Sequence, residues 1–210
     1  MQIERIRAQI EEAKSIEQRT GMLHRAVVNL AEFNGVNTSE SDVLKVIDFV
    51  TEYIEHAAAL MMIIEETAAM NGAQPDIQPI LDATEEYFFA PDDIIPDHYG
   101  LVGLLDDAYL TYTLMESISE IYESQTGKSM LPIEAHEMNA FIRRLIGDPF
   151  VSLLDEHVST TLENLSADHD MNRFLIVLAQ MNLSSIPHPA LGLAHVARIT
   201  GARIEAMGKL

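Results

Sequence analysis

The sequence predicts an all-α protein, an irregular multi-helix bundle of about seven to nine helices with a long N-terminal helical hairpin. Three observations carry this. Apolar residues recur at three- and four-residue steps along most of the 210-residue chain. No segment alternates with a period of two, and Val and Ile sit at helical spacing. Gly and Pro fall mainly between the periodic segments, where they stop and start helices.

At the N-terminus, Ile3, Ile6, Ile10, Ala13, Ile16, Thr20, Leu23, Val27 and Leu30 form one stripe. It reads as one helix, or as two with a break near Gly21. Asn34-Gly35 ends it, because both residues tolerate the left-handed conformation. Thr38 or Ser39 caps the next helix, which has acidic residues in its first turn. No Pro or Gly interrupts that helix before Met70, so it spans on the order of 45 Å. Val43, Val46, Ile47, Val50, Ile54, Ala57, Ala58, Met61, Ile64 and Ala68 make its buried stripe, and Asn71-Gly72 ends it. These first two segments form the hairpin.

A third helix fits Asp76–Phe89, with Ile77, Ile80, Leu81, Thr84 and Phe88 inward. Another runs from Leu101 to Ser124 and stops near Gly127. Pro132 suits the first turn of a helix reaching Ile146. Asp148 and Pro149 repeat that pattern as cap and opener of the next, which buries Val151, Leu154, Val158, Thr161, Leu162 and Leu165. Two final helices fit Asp168–Met181 and Pro189–Met207, on either side of the turn SSIPHP.

With 48% apolar residues, the chain is rich enough for one sizeable core. It reads as a single domain over 1–210 with a weak division near residue 128, where SQTGKSMLP intervenes and the charge density changes. Asp and Glu number 33 against 13 Lys and Arg, a net charge of −20. From Val46 to Gly127 there are 17 acidic residues and no Lys or Arg, whereas 141–210 carries a net charge of −1. Residues 1–127 are thus acidic and residues 128–210 near neutral. Such a field repels phosphate backbones and anionic membranes, which argues against nucleic-acid and membrane partners. It attracts a basic protein or a hard cation. A solubilising surface is the simpler account.

The absence of Cys excludes disulfides, thiolate metal sites and a cysteine nucleophile, and fits a cytoplasmic location. The first residues, MQIERIRAQIEEAK, do not have the apolar core of a signal peptide. The longest apolar run, Ala57–Ile64, is too short to span a bilayer.

The segment Pro91–Asp107, PDDIIPDHYGLVGLLDD, mixes five aspartates with prolines, glycines and aliphatic residues. In a structural reading, Asp93 caps a short helix beginning at Ile94, with Pro96 in its first turn. Asp97 caps the following element, and Gly100 and Gly103 permit close backbone approach. Asp106 and Asp107, well inside a helix, bond to backbone N–H groups of the preceding turns. In a functional reading Asp93, Asp97, Asp106 and Asp107 converge on a divalent cation, with His98 as a nitrogen ligand. An oxygen-rich set implies Mg²⁺, Mn²⁺ or Ca²⁺ rather than Zn²⁺. The spacing is not that of an EF-hand. The structural reading is preferred, since aspartates at turns usually serve the backbone.

The order Pro91, Asp93, Ile94-Ile95, Pro96-Asp97, Gly103, Asp106-Asp107 resembles the motif of the YkvA-like family of bacterial proteins. His98 and Tyr99 depart from it, since relatives usually carry apolar residues there. The resemblance covers at most a third of the chain. It implies a helical element without a known activity.

Other constellations are weaker. Glu52, Glu55, His56, Glu65 and Glu66 share one helix but lack the repeat on a second helix that a two-metal bundle needs. Asp168-His169-Asp170 has the look of a metal-dependent phosphohydrolase pair, yet Asp168 as a helix cap is the simpler account. His188 and His195 lie too far apart along a helix for one ion. Ala190, Ala194, Ala197 and Gly201 form a small-residue stripe suited to helix packing or self-association. No nucleophile elbow, phosphate loop or zinc-protease motif is present.

The sequence therefore points to a helical binding or scaffolding module, with a protein partner or a second copy as its ligand and no resident cofactor. It leans away from an enzyme. The alternative is a metal-dependent hydrolase using the aspartate cluster.

Overall fold

The computed structural model describes residues 2–90, 94–131, 133–168 and 171–180. Among these, every regular element is helical: α1 (Ile3–Thr20), α2 (Met22–Phe33), α3 (Glu40–Met70), α4 (Gln74–Phe89), α5 (Leu101–Thr126), α6 (Ile133–Ile146), α7 (Phe150–Asp168) and α8 (Met171–Gln180), with a 3₁₀ turn at Asp97–Tyr99. The all-α bundle expected from periodicity is the fold.

The N-terminal stripe is two helices. Gly21 turns the chain with φ +59°, and the buried Glu17 carboxylate accepts hydrogen bonds from the backbone N–H groups of Leu23 (2.8 Å) and His24 (3.0 Å). An acid from the end of one helix thus caps the start of the next. Ser39 is the N-cap of α3, in a full capping box with Asp42. Along α3, Val43, Val50, Ile54, Ala57, Met61, Ile64 and Ala68 are buried, and the helix packs against both α1 and α2 as the expected hairpin.

The centre of the bundle is α5. It contacts α1, α2, α3, α4, α6 and α7. Leu101, Leu104, Leu105, Ala108, Tyr109 and Leu110 are all buried, so it is covered nearly all round over its first turns. The buried apolar cluster extends from Ile6 in α1 to Leu178 in α8. The segment after α5 belongs to it: Met130 and Leu131 are buried, and their N–H groups donate to the Ser119 hydroxyl (3.0 and 3.3 Å).

Three expectations fail locally. No helix begins at Ile94: residues 94–95 form a bend, and Pro96 precedes the 3₁₀ turn in an extended conformation. The ring of Pro96 disfavours the helical region for Ile95. Asp148 accepts from the Ser152 hydroxyl (2.8 Å), and Pro149 stands just ahead of α7. Asp168 is the last residue of α7, not the cap of the next helix, because nothing breaks the repeat after Leu165. His169 and Asp170, His188 and His195, the helix over 189–207 and its small-residue stripe lie outside the described residues.

Candidate functional site

The aspartate motif folds back over the start of α5. Two glycines make this possible. Gly100 has φ +69°, and a Cβ there would stand 2.8 Å from Cγ2 of Ile16 and 3.0 Å from the Ala13 carbonyl oxygen. A Cβ at Gly103 would stand 2.6 Å from the Pro96 carbonyl oxygen and 2.8 Å from Cα of Asp97. Asp106 holds the fold-back from inside the helix: its carboxylate accepts the Ile95 N–H at 3.0 Å. Asp106 and Asp107 are buried, with exposures of 1% and 2%. The structural role expected of Asp106 is thus the one found.

Asp97 does not cap α5. The N-cap is Gly100, without a side-chain bond, and the 3₁₀ turn intervenes. Asp97 instead lines a cleft of about 260 Å³ with Gln9, Glu12, Ile16 and His98. Burial raises its pKa above the usual range, opposed by His98. Asp106 and Asp107 line a different hollow. Asp93 lies outside the described residues. Among the described residues no three His, Asp or Glu side chains are placed to hold a metal ion. Glu55 forms an ion pair with Lys14 (2.5 Å), and His56 is half-buried.

The fold-back creates two hollows. One is an apolar groove of about 310 Å³ between α2, the Ile95–Tyr99 segment, α5 and the junction of α6 and α7. Leu23, Ile95, Val102, Leu105, Ile146 and Phe150 are among its lining residues, none of which is charged. Tyr99 (36% exposed) and Phe150 (43%) belong to its wall, and Leu153 (48%) follows one turn along α7.

The second is an acidic notch of about 70 Å³, lined by Glu86, Tyr87, Ala90, Ile94, Asp106, Asp107, Leu110 and His157. Glu86 and His157 are exposed, whereas the two aspartates are buried. The Tyr87 ring meets His157 edge-on, with centroids 5.5 Å apart. Burial pushes the Tyr87 hydroxyl up to about 12; Thr161 opposes the shift and Glu86 adds to it. Sequence reasoning did not find Tyr87, whose helical register was read through Thr84 and Phe88. Nor did it place His157 here: nothing local links residue 157 to a motif some fifty residues earlier.

A larger hollow of about 400 Å³ between α1 and α3 is lined by Arg7, Glu11, Glu55 and small apolar residues, away from the motif. Two polar clusters fix α6 and α7 on the bundle. Tyr53 donates to Asn139 (2.6 Å), which donates to Thr113 (3.0 Å) and Glu116; Glu116 also pairs with His136 (2.9 Å). Tyr109 donates to Asp155 (2.7 Å), and Arg143 bonds to both. These link packed helices.

Residues 86–111 match a protein family described as one of unknown function, DUF1232. The matched segment holds the whole aspartate motif and seven of the eight residues that line the acidic notch. Comparison with curated proteins and with solved structures gave no match.

Proposed function

We propose that the chain is a helical binding module, and that the groove beside the motif takes the apolar face of a helix carried by a partner protein. The observation behind this reading is the lining: a groove of about 310 Å³ without a charged wall, in a chain of net charge −20. Its volume is at the low end for small-molecule pockets, about 300–1,000 Å³. Lined from α2, α5 and α7, it suits a few side chains of a docked amphipathic helix. Residues 1–127, which supply most of its lining, are strongly acidic, so a helix with basic flanks complements it. We assign the motif to the YkvA-like branch on Pro91, Asp93, Pro96-Asp97, Gly103 and Asp106-Asp107. A cytoplasmic site of action accords with the lack of Cys. It also accords with the described helices, none of which is long and apolar enough to cross a membrane.

The groove is tested with Nile red, a neutral apolar dye. The expected result is saturable binding with a blue-shifted emission, weakened at least tenfold by Phe150→Asp, a partly exposed wall residue whose substitution leaves the core intact. Equal binding to both proteins contradicts the assignment. The alternative, a metal-dependent hydrolase, requires a further ligand beside Asp106 and Asp107. A rise in melting temperature with millimolar Mg²⁺, Mn²⁺ or Ca²⁺ would favour it over the binding module.

A further inference from the structure

The apolar groove and the last residues of the chain are complementary in hydropathy and in charge. Leu23, Val102, Leu105, Ile146 and Phe150 are among the groove's lining residues, with Phe150 43% exposed and Leu153, one turn on, 48%. Residues 1–127, which supply most of that lining, hold 24 Asp and Glu against 6 Lys and Arg, a net charge of −18. Residues 181–210 lie outside the described residues, and their sequence reverses the sign. Arg198, Arg203 and Lys209 stand against Glu205 alone, a net charge of +2.

Within that segment Leu193, Val196, Thr200, Ile204 and Met207 recur at steps of three and four. Helical spacing puts them on one face, with His195, Arg198, Glu205 and Lys209 on the other. An aliphatic face at this spacing is what an apolar groove takes, and the basic residues complement the acidic part of the chain. The reach is sufficient. The described chain stops at Gln180 in α8, whose Arg173 pairs with Asp76 in the first turn of α4 (2.8 Å). From Asp76 it is about 17 Å along α4 to Tyr87, whose ring meets His157, and about 10 Å along α7 from His157 to Phe150. Residues 181–188, fully extended, span up to about 26–29 Å. A ligand on so short a tether has an effective concentration in the millimolar range, so even a weak contact is populated.

We propose that residues 189–207 of this chain are the groove's own occupant, and that a partner helix binds by displacing them. This rests on the binding-module reading and names the regulation of that site. The chain has no Cys, so a single introduced one takes a nitroxide label selectively. His195→Cys is labelled in the full chain, and the methyl signals of Leu23, Val102, Leu105 and Ile146 are followed by NMR. At least twofold broadening of those signals is expected, reversed when the label is reduced and lost when Leu193→Asp and Ile204→Asp are added. In the unlabelled full chain the same two substitutions free the groove, so Nile red is expected to bind at least fivefold more tightly than to the parent. Should that variant fail to fold, Arg198→Glu with Arg203→Glu is expected to tighten dye binding at least twofold. Groove methyls that stay sharp, or dye affinity unchanged by the tail substitutions, overturn the proposal. So does broadening that appears only when spin-labelled chains are mixed with isotope-labelled ones, which would place the segment in a second copy. If Phe150-dependent dye binding persists while the tail substitutions do nothing, only the occupant is lost; if no Phe150-dependent dye binding is seen in any of these proteins, the binding module is lost as well.

Discussion

Asp106 sits inside a helix, where no cap is required, yet its carboxylate reaches out of α5 to the Ile95 N–H. Removing it leaves a buried donor without its acceptor, which costs about 1–3 kcal/mol. Asp106→Ala is therefore expected to lower the stability measured by urea unfolding by that amount, and Asp106→Asn, which keeps an acceptor oxygen, by less than half of it. An Asn variant as damaged as the Ala variant would show that the charge matters rather than the bond. Gly103 is the second anchor of the fold-back. A Cβ there would press on the backbone of Pro96 and Asp97, which cannot give way as a flexible side chain does. Gly103→Ala is expected to cost about 1–3 kcal/mol and to lower the melting temperature by several degrees. An unchanged melting temperature would mean that the loop shifts at no cost.

At the scale of elements, α6 docks on α5 and α3 through Asn139, His136 and Glu116. Burial raises the Glu116 pKa above its ordinary value, while Asn139 and His136 oppose the shift and Glu120 adds to it. The folded protein then holds the Glu116 proton more tightly than the unfolded chain. The resulting stability is full below about pH 4.5 and is lost as pH rises through the folded pKa. Glu116→Gln lacks the titration. Its stability relative to the parent is expected to increase from pH 4 to pH 7, measured by denaturant unfolding at both; a constant difference would contradict this.

Much at this scale was readable in advance. The apolar stripe of α3, the Ser39 cap and the stop at Gly127 are local signals, carried by residues within a turn or two of one another. The Gly21 break was legible only as an option, because the Glu17 carboxylate that caps α2 depends on the chain turning back. Asp106 was assigned to the backbone from its sequence neighbours alone. The notch was not legible. His157 reaches it from α7 and Tyr87 from the last turn of α4, and helical periodicity does not say which helices become neighbours.

For the molecule as a whole, the motif contributes shape. Its glycines and Asp106 fold a short segment onto α5, and the fold-back leaves an apolar groove on one side and a carboxylate notch on the other. On the proposed reading, the acidity of residues 46–127 adds a field that would draw a basic partner toward that surface. The most direct test is selection of a helical peptide library against the full chain, with binding of the recovered peptides measured by fluorescence anisotropy. The account predicts amphipathic helices with an apolar face and basic flanks, binding the parent protein and at least tenfold more weakly Phe150→Asp. Peptides that bind both proteins equally, or no peptide recovered above background, would contradict it.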